Sequence, residues 1–99
     1  MAYGQEMKKL TRAEAMSSAV TKVQPDYPPI AKQLKMEGNV VLEVVVAENG
    51  TVEKVNIISG NPVLTRPASD ALKRWKFTPA MVDGKPAKAL APIDINFKL

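Results

Sequence analysis

The 99-residue chain contains neither histidine nor cysteine. The usual nucleophile–base pairs of enzymes need one of these residues, and so do most transition-metal sites. Ten Asp and Glu residues remain, but they are spread singly over predicted turns, helices and strand faces, so no pair converges for acid–base catalysis. We therefore predict a protein that is not an enzyme and that holds no metal ion or cofactor.

Long apolar runs and aromatic residues are also scarce. No run approaches the roughly 20 residues of a membrane span, and the first residues, Met1–Gly4, lack the pattern of a signal peptide. The chain is therefore interpreted as either cytoplasmic or a soluble piece of a longer protein. The net charge is +4, but the basic residues are not clustered with the 5% of aromatic residues, so no nucleic-acid partner is predicted.

The most informative pattern lies at the C-terminus. Apolar and polar residues alternate throughout Ile93–Leu99, which is typical of a strand with one buried face and one exposed face. Because this is the final predicted element, it can lie at the margin of a sheet, where unpaired backbone N–H and C=O groups can pair with another chain. The pattern indicates recognition of a peptide rather than chemistry on a substrate.

Two more strands and a helix precede this segment. Val40–Ala47 is nearly continuous in apolar, mostly β-branched residues, which predicts a central strand. Asn49-Gly50 predicts a hairpin turn with positive φ at both residues, followed by a return strand over about 51–59. Apolar residues at helical spacing then predict a helix over about 64–75, with Pro67 in its first turn.

The N-terminal segment is less clearly patterned. Residues 5 to about 20 look helical, and Thr11 with Glu14 has the spacing of a capping box. This segment is either the remnant of a linker or a helix that docks loosely on the rest of the chain. The prolines of the segment 23–29 predict extended backbone, because each restricts its own φ and the residue before it.

A short helix is predicted to open at Pro28 or Pro29, where a missing N–H costs no hydrogen bond. Ile30, Ala31 and Leu34 would form its inner face, and Gly38 would end it.

The order helix, strand, strand, helix, strand predicts an α+β two-layer fold. If all neighbours are antiparallel, the three-stranded sheet has the order second–first–last, and both helices cover one face. An extra N-terminal helix is left open. The predicted division is an N-terminal extension over residues 1–21 and a folded domain over residues 22–99.

Six short motifs stand in a fixed order in this domain, and together they resemble the TonB C-terminal domain family. The resemblance covers roughly residues 22 to 99. The motifs are Gln24-Pro25-Asp26-Tyr27-Pro28, Glu37-Gly38-Asn39-Val40, Asn49-Gly50-Thr51-Val52, Ala71-Leu72-Lys73-Arg74, Trp75-Lys76-Phe77-Thr78-Pro79-Ala80 and Ile95-Asn96-Phe97.

The resemblance implies the periplasmic domain of a transducer that is anchored in the bacterial inner membrane, with the anchor outside this sequence. It implies coupling of the proton motive force, through an ExbB–ExbD complex, to active transport. It also implies capture of the "TonB box" peptide of outer-membrane receptors by β-strand addition to the last strand.

The resemblance also implies which residues contact that partner. The partner-binding positions are Lys22, Gln24, Pro92, Ile93, Asp94, Ile95, Asn96, Phe97 and Lys98. The residues with structural roles are Pro25, Tyr27, Pro28, Gly38, Gly50, Trp75, Phe77 and Pro79. The side chains of Asp94, Asn96 and Lys98 either select the bound peptide or are simply solvated.

Two alternative functions remain open from the sequence. The same edge can pair with a second copy of the chain and give a homodimer or an envelope scaffold. A sensor domain of the same family, which serves no transporter, is the other alternative.

Overall fold

The computed structural model describes residues 7–99 of the chain, which form a mixed α+β fold with three helices and eight strands over this range. In chain order the elements are β1 (Lys8–Lys9), α1 (Arg12–Ser18), β2 (Ala19–Thr21), α2 (Pro29–Gln33), β3 (Gly38–Val46), β4 (Val52–Ser59), α3 (Pro62–Leu72), β5 (Lys76–Phe77), β6 (Ala80–Val82), β7 (Lys85–Ala87) and β8 (Ala89–Phe97). Across these residues no helix is long and apolar enough to cross a membrane.

The main sheet has the strand order β1-β8-β3-β4. The strand β3 lies between β4 and β8 and is antiparallel to both, with a continuous register from Gly38 opposite Phe97 to Val46 opposite Ala89. The predicted three-stranded, all-antiparallel sheet was wrong in one respect, because β1 adds a fourth strand, parallel to β8. Two small two-stranded sheets, β2–β5 and β6–β7, and an isolated antiparallel bridge between Thr51 and Lys76 complete the strand pairing of the described residues.

The hydrophobic core lies on one face of this sheet. Alternate residues of β3 and β8 point into it, so that Leu42 and its register partner Ile93 are fully buried. Burying side chains of this size contributes about 1.5–3 kcal/mol each. The helix α3 packs against β3 and β4 and adds Leu64 and Leu72 to the same core.

The predicted hairpin at Asn49-Gly50 joins β3 to β4, but its turn type differs from the prediction. Only Gly50 has positive φ, at 89°, whereas Asn49 is not among the residues with positive φ. The Gly50 N–H donates to the Ala47 carbonyl over 2.9 Å, and the Asn49 side-chain oxygen accepts from the Thr51 N–H over 3.1 Å. The connection is therefore a turn closed by a glycine in the left-handed region. Beside it the register of β3 with β4 shifts between Val45 and Val46, as in a β-bulge.

The helix α2 differs from its prediction at its inner face and at its end. Only Ala31 is buried, whereas Ile30 and Leu34 are 50% and 65% exposed, because a five-residue helix presents little more than one residue to the core. The helix ends well before Gly38. Lys35 has a φ of 52°, in the left-handed region, and its N–H donates to the Lys32 carbonyl. The N–H of Met36 donates to the Ala31 carbonyl, which closes the end of the helix.

Of the two predicted alternatives for the N-terminal segment, the structure has the helix, which lies against β8. The predicted capping box of Thr11 and Glu14 is present, and it starts α1 at Arg12. The helix is shorter than predicted, because β1 precedes it, and the prediction for residues 5 and 6 lies outside the described residues. Ala15 on α1 is fully buried in the core cluster.

The helix α3 starts earlier than predicted because Asn61 caps it and Pro62 opens it. The Asn61 side-chain oxygen accepts a 2.9 Å hydrogen bond from the Val63 N–H. Pro67 consequently lies inside the helix rather than in its first turn.

Candidate functional site

The outer edge of β8 presents backbone groups that β3 does not use. The N–H of Lys8 donates to the Lys88 carbonyl and the N–H of Leu10 to the Leu90 carbonyl, both over 2.9 Å, so the even-numbered residues of this segment direct their backbone outward. The alternation of a strand extends this assignment to Asp94 and Asn96, because the register with β3 has no interruption from Ala89 to Phe97.

Pro92 belongs to the same outward-facing set and has no N–H to offer. Proline is tolerated in a strand where its missing donor would point away from the sheet, as it does here. The carbonyls of Pro92, Asp94 and Asn96 and the N–H groups of Asp94 and Asn96 therefore define the outer edge of β8 beyond Leu90. No strand among residues 7–99 pairs with this part of β8.

The side chains of β8 follow the predicted alternation up to Phe97. Ile93, Ile95 and Phe97 are buried, whereas Asp94 and Asn96 are exposed. The alternation fails at Leu99, which lies beyond the strand and is 57% exposed.

The cause of that failure is a polar contact at the end of the chain. The Leu99 N–H donates to the Glu37 carboxylate over 2.8 Å instead of continuing the ladder with β3. Lys98, one of the predicted contact residues, also lies beyond the end of β8.

A groove of about 240 Å³ lies beside this edge and brings several of the predicted contact residues together. Its apolar lining comes from Met16, Val23, Trp75 and Ile95, and its polar lining comes from Lys22, Gln24, Asp94 and Asn96. Such a mixture suits an apolar side chain whose own backbone is hydrogen-bonded at the rim. A larger depression of about 450 Å³ between α1 and β6 includes none of the outward groups of β8 beyond Leu90, so the site is placed at the smaller groove.

The extended segment that carries Lys22 and Gln24 is held against the domain by two aromatic residues. The Trp75 indole N–H donates to the Val23 carbonyl over 3.0 Å, which fixes the backbone next to Gln24. The ring of Tyr27 packs edge-to-face on Phe97, with 5.5 Å between ring centroids. Phe97 therefore acts as a support under this segment rather than as a surface that a partner can reach.

The Tyr27 hydroxyl donates to the Met36 carbonyl and so joins the segment to the start of β3. Burial raises the pKa of Tyr27 above its ordinary value, and the nearby Glu37 carboxylate raises that pKa further. Both effects favour the neutral phenol, which is the form that can donate this hydrogen bond.

Two residues of α1 reach this site although no sequence pattern indicated a role for them there. The Arg12 side chain forms a 2.9 Å ion pair with Asp94, and Met16 lines the groove. Arg12 and Asp94 are 82 residues apart in the sequence, so local patterns carry no sign of the pair. The capping box at Thr11 was the one usable signal, because it fixes where α1 begins.

The remaining predicted positions serve the framework of the site. Trp75 and Phe77 are buried, and Gly50 approaches the backbone of Phe77 closely. Pro25 lines the groove, whereas Pro28 precedes the first residue of α2 at the N-cap position. Among residues 7–99, no three acidic, histidine or cysteine side chains come together in a way that could hold a metal ion.

These features define a small α+β domain with an incompletely paired strand at one side of its main sheet and a groove beside it. The chain belongs to the family described as Gram-negative bacterial TonB protein C-terminal, whose model matches residues 23–99. The resemblance inferred from the sequence motifs is thereby confirmed.

Curated relatives agree with this assignment. The chain is 39% identical over 79 residues to Protein TonB of Vibrio cholerae, a match that covers 78% of this chain and 32% of that protein. It is 34% identical over 83 residues to Protein TonB of Escherichia coli K12, covering 82% of this chain and 33% of that protein. The match thus spans about a third of the length of these curated relatives.

Two solved structures have the same fold. The solution NMR structure of the Pseudomonas aeruginosa TonB CTD matches with a TM-score of 0.68 and 23% identity, covering 82% of this chain and 84% of that one. The TonB2 protein of Vibrio anguillarum matches with a TM-score of 0.59 and 28% identity, covering 100% of this chain and 86% of that one.

Proposed function

We propose that this domain captures an extended peptide, the TonB box of an outer-membrane receptor, by β-strand addition to the outer edge of β8. In this proposal it is the periplasmic part of an energy transducer anchored in the inner membrane. An anchor elsewhere in the whole protein connects it to an ExbB–ExbD complex, so that the proton motive force drives active transport through the receptor.

The observation that carries the proposal is the set of outward backbone groups at Pro92, Asp94 and Asn96. Strand addition needs exposed N–H and C=O groups at strand spacing more than it needs particular side chains. The missing N–H of Pro92 limits the donors to those of Asp94 and Asn96, so the register of a captured peptide is centred on these two residues.

The expected affinity follows from the number of groups available. About five ladder hydrogen bonds at roughly 0.5–1.5 kcal/mol each supply about 5 kcal/mol. Burial of one apolar side chain in the groove adds about 1.5–3 kcal/mol. Ordering of the peptide offsets part of this sum. The result is an affinity in the micromolar range or weaker, which suits a link that is made and broken repeatedly.

The polar residues of the groove have separate roles in this proposal. Gln24 carries both a donor and an acceptor and can bond to the backbone of the docked strand. Lys22 and Asp94 carry opposite charges at the groove. They therefore favour peptides that place an acidic residue near Lys22 and a basic residue near Asp94. Ile93, Ile95 and Phe97 contribute their position in β8 and their core packing, since their side chains are buried.

A proline substitution tests the proposal at one backbone atom. The Asn96→Pro change removes an outward N–H that bonds to nothing within β3, so we expect the fold to persist and the affinity for a TonB-box peptide to fall at least tenfold. The Asn96→Ala change is the matched control, because it removes the same side chain and keeps the N–H. Isothermal titration calorimetry measures both, and equal affinities for the two variants would refute strand addition at this edge.

Self-association is the second candidate, and the other edge of the sheet favours it. The strand β4 has no partner on its outer side among residues 7–99, and its Ile57 and Ile58 are 49% and 60% exposed. An exposed strand with apolar residues readily pairs with a second copy. Light scattering over a wide concentration range tests this, since a dimer requires the mass to rise with concentration and a constant monomer mass would contradict it.

A further inference from the structure

We infer that residues 8–18 form a built-in cover over the outer edge of β8, and that this edge cover must move aside before a peptide strand can add along the full length of β8. The inference rests on the proposed function and assigns a regulatory role to a segment that lies outside the family match at residues 23–99. The edge cover consists of β1, α1 and the two residues between them.

The edge cover occupies space that an added strand would need. A strand added to β8 lies about 4.7–4.9 Å from it, at the hydrogen-bonding distance of neighbouring strands. The strand β1 already occupies that position beside Ala89 and Leu90. The helix α1 continues from β1 and lies against β8. A peptide that adds along the full length of β8 therefore competes with residues of the same chain.

The edge cover is attached to β8 by backbone hydrogen bonds and by an ion pair. Backbone hydrogen bonds attach it at one end, among them those from the Lys8 N–H to the Lys88 carbonyl and from the Leu10 N–H to the Leu90 carbonyl, each of 2.9 Å. The ion pair of Arg12 with Asp94 attaches α1, over 2.9 Å. Asp94 is one of the two residues whose N–H groups point outward at the proposed binding edge, so the edge cover engages the site itself.

Most of the contacts that attach the edge cover to β8 are weak. The two ion-paired side chains are 59% and 39% exposed, and exposed ion pairs contribute little to stability. The strand β1 has only two residues, and both are exposed. Contacts of this kind hold a segment in place and still allow it to open. Ala15 is the deeper anchor, because it is fully buried.

The consequence is a reduced apparent affinity. A site that is free in only a fraction of the molecules binds more weakly by that fraction. Any change that weakens the edge cover without touching β8 should therefore tighten peptide binding, whereas any change that fixes the edge cover should block it.

Proline substitutions in β1 provide a matched pair. The Lys8→Pro change removes the N–H that donates to the Lys88 carbonyl, so we expect the affinity for a TonB-box peptide to rise about 2- to 10-fold. The Lys9→Pro change is the control, because the N–H of Lys9 points away from β8. The Arg12→Gln change should raise the affinity up to about fivefold. Its control is Arg66→Gln, which removes the same charge from an exposed position on α3.

A reversible cross-link tests the same inference in the opposite direction. Lys9 and Leu90 are register partners in the parallel pairing, and the chain has no other cysteine to interfere. A disulfide between cysteines introduced by Lys9→Cys and Leu90→Cys should abolish peptide binding, and a reducing agent should restore it in the same sample.

The outcomes separate the two proposals. Tighter binding by the Lys8→Pro variant, together with loss of binding in the cross-linked form, supports the edge cover. Equal binding by the parent chain, the Lys8→Pro variant and the cross-linked form would overturn the edge cover and leave strand addition intact. No binding by any form, including the reduced one, would overturn both.

Discussion

Gly50 is the position where a single methyl group tests the packing of the structure most sharply. A Cβ atom at Gly50 would lie 2.1 Å from the carbonyl oxygen of Phe77, a distance that side chains do not reach without backbone movement. The residue also has a φ of 89°, which costs a residue with a side chain about 1–2 kcal/mol. The Gly50→Ala change therefore combines backbone strain with a steric clash.

The free-energy cost of the clash depends on which segments must move apart. Phe77 donates its N–H to the Gly50 carbonyl over 2.8 Å, and separating the two segments loses this hydrogen bond at about 0.5–1.5 kcal/mol. Strain and the lost bond together predict that Gly50→Ala lowers the free energy of unfolding by about 1.5–3.5 kcal/mol. For a domain of this size, each kcal/mol shifts Tm by roughly 4–8 °C.

Gly84 is the matched control for this prediction. It has a φ of 77°, but a Cβ atom there would meet nothing within 4 Å. The Gly84→Ala change should therefore lower the free energy of unfolding by the strain alone, about 1–2 kcal/mol. Chemical denaturation of the two variants measures the difference. Equal losses would show that the close approach of Gly50 to Phe77 contributes nothing.

Two further changes have defined outcomes. The Lys35→Gly change should raise the free energy of unfolding by about 0.5–1 kcal/mol, because Lys35 has a φ of 52° at the end of α2. The Lys32→Gly change, inside the helix, should instead lower it by about 1 kcal/mol. Chemical denaturation that ranks the two variants the other way would contradict the left-handed conformation of Lys35 at the end of α2. The contribution of Tyr27 to the free energy of unfolding should be fully present below pH 10 and should be lost as the pH rises through the folded-state pKa. That pKa lies above its ordinary value, mainly because of burial and also because of the Glu37 carboxylate. Thermal unfolding from pH 8 to 11 measures this fall, and a Tyr27→Phe variant that loses stability equally steeply would contradict the role of the phenol.

The strand pattern of the C-terminal segment could be predicted from the sequence because it depends on local alternation. Ile93, Ile95 and Phe97 are buried, and Asp94 and Asn96 are exposed, as the period of two indicated. The alternation does not extend to Leu99, because a local pattern carries no information about the distant Glu37 carboxylate that accepts a hydrogen bond from the Leu99 N–H.

The residue types at the turns predict where a turn lies better than they predict its backbone conformation. Asn49-Gly50 marks the β3–β4 hairpin as predicted, but only its glycine has positive φ. Asp83-Gly84, between β6 and β7, is the pair in which both residues have positive φ, at 51° and 77°. The connection between β3 and β4 is longer than the two-residue loop between β6 and β7, so Gly50 alone can close the turn. The Asn49 side chain instead accepts a hydrogen bond from the Thr51 N–H.

The edge cover could not be predicted from the sequence. Its two-residue strand is too short to show a period, and its contacts with β8 join residues some eighty positions apart. The capping box at Thr11 predicted a helix start, but it carries no information about what the helix packs against. Long-range pairing of this kind depends on the position of β8, which exists only after the sheet has formed.

Amide hydrogen exchange at Asp94 and Asn96, with and without a TonB-box peptide, tests the central claim most directly. We expect hydrogen exchange at these two amides to slow markedly when the peptide is bound, because their N–H groups become hydrogen-bonded to the added strand. Ile93 and Ile95, whose N–H groups already face β3, should change little. Unchanged exchange at Asp94 and Asn96, with new protection confined to α2 or α3, would contradict it.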